Sequence, residues 1–483
     1  MKITEDFIRS VSINDSAMKN GQDLVKKGKF ISLSIDEDNV FIAGSCQGSG
    51  KTPYTCSADF INEESPVFRC SCPSRQIPCK HVMGLLYARA MEKSFETAPV
   101  PDDILAKREK KEVAAVKKKE KVEKLEQAAA LGPAEKSAAW KRNAIKKIDT
   151  QLTGISEVEK ILVNMVQGGL GAMDAKTISS FLALVKGLDA WYIPGLQNEM
   201  NELLGLLKSS KDGNWTGKVN QICSLQTLVS RSRDYLEKKK ETPEVLDTQT
   251  EIEELIGHAW KLEELAQHKL FEDNVKLAEL AFHVITEPDK QQWVDESFCI
   301  SLTSGRVFRV VNYRPFKAAK YIKELDSTQA VVLVPRLFIY PAQALNPRVR
   351  WESNTFEDLT PEHLKIIRSF AMSDFAEVLK AVKNQLKNLL VSRNPAVFVK
   401  CASLKAIEDR GGLYEARDEK GAAITLRPNS YSGLNFMHLL DDLTIDEVQN
   451  ACLLLLFDNN VEDGILSASV LCVVTDTRII RLV

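Results

Sequence analysis

Three thiols and one imidazole fall within twelve residues of this chain. They are Cys70, Cys72, Cys79 and His81, spaced C-x-C-x6-C-x-H in the string FRCSCPSRQIPCKHVMGLLY, residues 68–87. Four such ligands fill the tetrahedral shell of zinc, with Zn–S about 2.3 Å and Zn–N about 2.0 Å. A shell closed by four protein ligands leaves no position for a reactive water, so the set predicts one structural Zn2+ rather than a catalytic one. Cys70 and Cys72 stand two apart on an extended strand end, so their sulfurs leave the same side of the backbone. Pro73 turns the chain and Pro78 ends any preceding helix, which puts Cys79 and His81 at the start of the next one. There, unpaired N–H groups and the positive end of the helix dipole favour thiolates. Two other readings are packing coincidence and a redox pair. The first has to explain three Cys and one His together, and a redox dithiol is normally C-x-x-C on a βαβ background.

Around the set, residues 65–93 carry Arg69, Arg75, Lys80, Arg89 and Lys93 against Glu92, a side-chain charge of +4. Zinc with three thiolates adds −1, so the loaded finger keeps +3. Arg69, Arg75, Lys80 and Arg89 are therefore the candidates for phosphate contacts, and binding to DNA would weaken steeply with salt.

The elements that must hold these ligands are small. Residues 15–28 pattern as a short polar helix ending at Gly28. Phe30–Ile35 and Val40–Gly44 read as strands joined by a DEDN turn, and 53–60 and 66–70 continue the meander. After Cys79 the period becomes helical, with apolar Val82, Leu85, Leu86 and Ala90. A sheet and helix of this size need a staple, and the metal would supply it.

C-x-C-P followed by C-x-H, behind a helix ending in glycine and a hairpin of the form V-x-I-A-G-S…Y-x-C, resembles the SWIM zinc finger. The matching residues are Gly44, Ser45, Tyr54, Cys70, Ser71, Cys72, Pro73, Cys79, Lys80 and His81, and the resemblance spans about residues 15–92. More loosely, GISEVEKILVNMVQGGL, IPGLQNEMNELL and SGRVFRVVNYRPFKAAKYIKELDS are similar to the layout of long bacterial SWIM-finger proteins. The resemblance implies zinc binding and a role in binding DNA or protein. It also implies partners such as a MoxR-type AAA ATPase or a von Willebrand A-like protein.

The rest of the 483-residue sequence sets the frame. It is 44% hydrophobic and 27% charged with a net charge of −2, ordinary for a globular chain of several domains. The longest purely apolar run, Ala451–Phe457, is far short of the ~20 residues a bilayer span needs. The N-terminal MKITEDFIRS lacks the apolar core of a secretory signal. The ten cysteines are accordingly expected as reduced thiols in the cytoplasm. Residues 1–150 hold 26 basic and 21 acidic side chains, a net +5, which leaves −7 for the remainder. Any affinity for polyanions is thus expected at the N-terminal end.

The expected fold class is multidomain α+β. A SWIM-type finger domain occupies 1–93 and a charged linker or helix 94–149. A helical module follows at 150–242, then an α+β domain at 243–483. Lys107–Lys124, with nine basic and four acidic residues, reads as a solvated helix, a tether or a basic arm. In the last region the pattern predicts helices at 248–270, 273–285, 361–370 and 372–391. It predicts strand pairs at 296–303/306–313, 328–335/337–341 and 412–418/421–426, and two or three strands at the C-terminal end.

Some signals are decoys. GSCQGSGKT at 44–52 has Ser45 where a P-loop requires glycine, and a strand rather than a helix follows it. Cys46 and Cys56 flank that hairpin and are expected to face each other as buried thiols. His258, His268, His283, His363 and His438 stand singly, and Asp441–Asp442 and Asp458–Asn460 read as turns. No nucleophile has a placed base, so no enzyme activity is expected. Two functions remain. One is a zinc-binding recognition protein whose finger meets DNA or an acidic protein surface. The other is a protein–protein adaptor for an ATPase complex without a nucleic-acid role.

Overall fold

In a computed structural model the described residues are 3–12, 14–48, 52–63, 66–74, 77–209, 215–287, 290–318, 321–322, 324–325, 327–407, 413–428, 440, 444, 451–460 and 464–482. The chain divides into two compact units, Met1–Lys119 and Glu120–Val483. The division falls inside one helix, within the stretch read from sequence as a charged linker or helix.

In the first unit, Thr4 and Asn14 accept hydrogen bonds from the backbone N–H groups of Phe7 and Ala17. They cap α1 (Glu5–Val11) and α2 (Asp15–Lys26). Gly28, at φ +59°, ends α2 in a conformation that glycine adopts without strain. Four antiparallel strands follow: β1 (Phe30–Ile35), β2 (Phe41–Cys46), β3 (Tyr54–Asp59) and β4 (Val67–Cys70). The β1–β2 turn is tied by Asp36, whose Oδ1 accepts from the Val40 and Phe41 N–H groups at 2.8 Å. Helix α3 (Lys80–Ala90) is buried at every position from His81 to Ala88. It packs on α2 on one side and on β2, β3 and β4 on the other. Gly21 and Gly84 let the two helices meet backbone to backbone: a Cβ on Gly21 would stand 2.7 Å from Met83 Cβ and 2.8 Å from Gly84 N.

The Pro-containing stretch after α3 is structured. Glu96–Thr97 forms β5, parallel to β1, and α4 (Asp102–Leu131) begins soon after. Early in α4, Arg108 grips the buried Asp59 carboxylate with Nη2 at 2.8 Å and Nε at 3.2 Å. The basic run Lys107–Lys124 is thus part of one long, mostly exposed helix.

In the second unit, α5 (Ala138–Gln167), α6 (Ala175–Lys186), α7 (Pro194–Ser209) and α8 (Thr216–Lys239) share an apolar core around Ile155, Val158, Leu196, Leu203, Leu225 and Val229. Helix α5 starts twelve residues before the helical module's expected boundary at 150. The short helices α9 (Ile252–Ile256) and α10 (Leu262–Gln267) lead into a six-stranded sheet. Its strands are β6 (Phe271–Glu287), β7 (Gln292–Ser301), β8 (Val307–Pro315), β9 (Val331–Ile339), β10 (Arg348–Arg350) and β11 (Thr355–Glu357), ordered β10-β8-β7-β6-β9-β11.

After α11 (Pro361–Ser369) and α12 (Phe375–Leu386) comes a second sheet, ordered β12-β16-β17-β15-β14-β13, with β18 beside β17. Its strands are β12 (Ala396–Lys400), β13 (Ser403–Ala406), β14 (Tyr414–Arg417), β15 (Ala423–Leu426), β16 (Cys452–Asn460), β17 (Ile465–Val474) and β18 (Ile479–Arg481). Ala278, Leu280, Phe298 and Ile300 of the first sheet pack against Phe398, Leu454, Leu456 and Cys472 of the second. The overall class is multidomain α+β.

Two expected elements are corrected. Residues 273–285 are not a helix but the middle of β6, hydrogen-bonded to β7 on one edge and β9 on the other. The supposed pair 328–335/337–341 is one strand, β9. The ladder skips Pro335, which has no N–H to give, and Asn274 opposite it takes φ +55°. No helix among the described residues is long and apolar enough to cross a membrane.

Candidate metal centre

Strand β4 delivers Cys70 at its end, paired across the ladder with Cys56 of β3. The next residue is fixed to the same strand from both sides. Ser71 N–H donates to Thr55 O at 2.9 Å, and Thr55 N–H donates to Ser71 Oγ at 2.9 Å. With Ser71 held toward β3, Cys70 and Cys72 on either side of it turn the other way. The chain returns through Pro78, and Cys79 sits in extended conformation at the N-cap of α3. Its sulfur belongs to the cluster. His81 follows in the first turn, with the Tyr54 ring tilted against its own, centroids 4.9 Å apart.

The four ligand atoms converge within 4.8 Å of one another. Cys72 Sγ and Cys79 Sγ are 3.5 Å apart, and His81 Nδ1 lies 3.8 Å from both Cys70 Sγ and Cys79 Sγ. Ligand bonds of ~2.3 Å in tetrahedral arrangement require edges of about 3.8 Å, so these side chains fit zinc. Among the described residues this is the one cluster of three or more potential ligand side chains that converges in this way.

The cluster also favours anionic sulfur. Hydrogen bonding from Cys70 is the largest influence on Cys79. It acts against burial and is joined by bonds from His81 and the Val82 N–H, and together they hold the Cys79 thiol well below its ordinary value. Cys70 moves up, first because it donates to Cys79 and then because it is buried. A bound cation would draw off the thiol protons.

The basic candidates do not form one patch. Lys80 is exposed in the first turn of α3, beside the metal set. Arg89 is nine residues on, near the other end of the same helix, about 13 Å away along the axis and on the opposite face. Arg69 turns toward Asp59, with Nη1 3.6 Å from Oδ2, so it shares the carboxylate with Arg108. Arg75 lies outside the described residues. The Asp59–Arg108 clamp, which links the sheet to α4, was not visible in the sequence. Its signal was an arginine embedded in a run of like charges.

A groove of about 440 Å3 adjoins the metal set, with Asn14, Ser16, Asn20, Tyr54 and Lys80 among its walls. The N-terminal ends of α2 and α3 both open into it.

Cys46 and Cys56 are both buried, as expected of packing thiols, but do not face each other directly. Cys46 opposes Tyr54 and Cys56 opposes Gly44. Cys56 Sγ donates to Gly44 O at 3.4 Å and to His81 O at 3.6 Å, which braces the ligand helix. The glycine-rich stretch at 44–52 connects two strands, β2 and β3, and not a strand to a helix; Ser49, Gly50 and Lys51 lie outside the described residues. His438, Asp441 and Asp442 also lie outside them.

Residues 69–90 match the family model described as SWIM zinc finger. Comparison with curated proteins finds no match. Among solved structures, one titled "Structure of murine DNA binding protein bound with ds DNA" is similar over 41% of this chain and 94% of its own, at 11% identity and a TM-score of 0.19. A likeness that distant carries no argument. The family match and the geometry agree on the same four ligands: the chain carries a SWIM zinc finger with a Cys3His site for a structural zinc ion.

Proposed function

We propose that this is a non-enzymatic recognition protein, and that its finger domain, residues 1–93, binds the phosphate backbone of DNA. The observation supporting this most directly is the groove beside the closed metal set. Two helices aim their N-termini at it, Lys80 projects from one wall, and Asn14, Ser16 and Asn20 line the other. Helix N-termini and an ammonium together favour an anionic oxygen. In this reading zinc ties the end of β4 to the start of α3 and keeps the groove's wall in place. Four protein ligands leave it no coordination site for water or substrate, which is the ground for a binding role. The reduced thiols suit work in the cytoplasm.

The test is fluorescence anisotropy of the zinc-loaded chain with a labelled DNA duplex over a range of salt. Affinity should fall log-linearly with salt, and Lys80→Glu should weaken binding and flatten the slope by about one ion. Binding indifferent to salt, or untouched by Lys80→Glu, would overturn the proposal.

A second reading rests on exposed apolar side chains of the helical region. Val163 and Val166 of α5, and Leu182 and Leu184 of α6, face solvent. Such residues suit a protein partner, and the SWIM resemblance suggests an AAA ATPase or a von Willebrand A-like protein as its class. Capture of an ATPase from nuclease-treated lysate, lost on Val166→Glu with Leu184→Glu, supports the adaptor. Capture that depends on nucleic acid counts against it.

A further inference from the structure

A second cavity is far in sequence from the finger. It measures about 850 Å3 and lies wholly within the second unit, between α5, the end of α8 and the segment 243–268. That volume is in the range of small-molecule sites. One wall is a stripe of α5: Trp140, Ala144, Lys147 and Gln151, spaced three to four residues apart and so on one face. Across from it, Tyr192 holds a left-handed backbone conformation (φ +54°), and its carbonyl accepts a hydrogen bond from Gln151 Nε2 at 2.9 Å.

The charges lining the cavity are of two kinds. Most are matched. Lys239 and the Tyr235 hydroxyl both bond Glu253, Lys141 bonds Glu244, and His258 Nε2 lies 3.2 Å from Glu264. Lys136 and Lys147 make no ion pair among the described residues. Instead each ammonium lies over an exposed ring: Lys136 Nζ is 5.4 Å from the Trp140 ring centre, and Lys147 Nζ is 5.9 Å from that of Tyr192. Trp140 and Tyr192 are 41% and 58% exposed, which leaves aromatic surface for a bound ring to cover. One lining atom, Glu244 Oε2, is enclosed without a hydrogen-bond partner. Buried polar atoms of that kind are costly unless something pairs them.

We infer that this cavity binds a small aromatic anion of mononucleotide size. A planar ring would lie against Trp140 or Tyr192, its anionic group would meet Lys136 and Lys147, and a polar hydrogen on the ring would satisfy Glu244. The site involves no residue of the finger and does not depend on the DNA-binding proposal.

The test is isothermal titration calorimetry of the full, zinc-loaded chain with AMP as the probe. AMP should bind saturably at one site. Adenosine, which lacks the anion, and ribose 5-phosphate, which lacks the ring, should each bind at least about tenfold more weakly. Lys147→Glu and Tyr192→Phe both alter exposed positions and should leave the thermal unfolding midpoint in place. Lys147→Glu should cost AMP at least about tenfold in affinity, and Tyr192→Phe, which keeps the ring, should cost little. Absence of saturable AMP binding would overturn the inference. So would ribose 5-phosphate binding as tightly as AMP, or affinity unchanged by Lys147→Glu.

Discussion

The finger and the first sheet of the second unit both bury polar groups, but they find the opposite charge in different places. In the finger, three sulfurs and a ring nitrogen crowd within 4.8 Å. The compensating charge there is that of a metal ion. On β7, Asp295 and Glu296 are fully buried neighbours that point to opposite faces of the strand. Asp295 receives Arg314 through Nε at 2.8 Å, Asn312 at 3.1 Å and the Leu325 N–H at 3.0 Å. Glu296 receives Arg309 Nε at 2.7 Å and lies 3.0 Å from His283 Nε2. Here the sequence supplies every counter-charge. The finger's stability should therefore follow metal supply, and the sheet's should follow pH and its own side chains.

The largest expected effect breaks the first half of that contrast. Cys72→Ser, or a strong chelator on the native chain, should remove about one zinc per chain. Amide hydrogen exchange over residues 30–92 should then rise toward the unfolded rate, while β6–β9 keep their protection. Loss of protection in both regions together would mean that the units do not differ as argued.

Next in size is the ion pair on β7. Arg314→Met leaves Asp295 buried without its main partner and should cost about 3–5 kcal/mol in urea unfolding of the second unit, with zinc content unchanged. The pH dependence has a definite sign. Burial pushes Asp295 up, but hydrogen bonds from Arg314, Leu325 N–H and Asn312 outweigh it, and the folded value lies below the ordinary one. Glu296 is also lowered: burial again opposes, and His283 and Arg309 prevail. A depressed carboxyl stabilises the fold above its unfolded value, near pH 4, and that contribution is lost as pH falls through the folded value. Between pH 5 and pH 3 the native sheet should lose stability, and the Arg314→Met protein should lose less over the same interval.

How much of this could be seen in the sequence depended on how local the cause is. The zinc ligands, the meander and α3 were legible, because two-residue and helical spacings decide which way neighbouring side chains point. Strand β6 was not. DNVKLAELAFHVI is full of helix formers, and only its place between β7 and β9, with Leu277, Leu280 and Ala281 buried, forces it to extend. Arg69 illustrates the same limit at the site. Its charge was countable, but Asp59, ten residues away and on the neighbouring strand, decides where that charge goes. Arg108, in a run that read as a solvated helix, a tether or a basic arm, takes the other share of Asp59 from forty-nine residues away.

A smaller effect sharpens the comparison within the finger. Gly21→Ala places a methyl 2.7 Å from Met83 Cβ and 2.8 Å from the Gly84 backbone nitrogen, so α2 and α3 must part. Overpacking of this kind costs about 1–3 kcal/mol. Thermal unfolding of the zinc-loaded first unit should move down by that amount, and the second unit's transition should stay where it is. If the metal alone carried the finger's stability, the substitution would be silent.

The smallest effect separates sulfur that binds metal from sulfur that fills space. Cys56 lies across the ladder from Cys70 and is more deeply buried than that ligand, yet it stands outside the converging set. Burial, and then the neighbouring sulfurs, push its thiol up, so it stays protonated and donates to the Gly44 and His81 carbonyls. Cys56→Ala should therefore leave zinc at one per chain and cost about 1 kcal/mol, the worth of a small buried side chain with weak hydrogen bonds. Metal analysis beside Cys72→Ser provides the control. Zinc lost equally from both variants would place Cys56 among the ligands and dissolve the distinction between the two kinds of thiol.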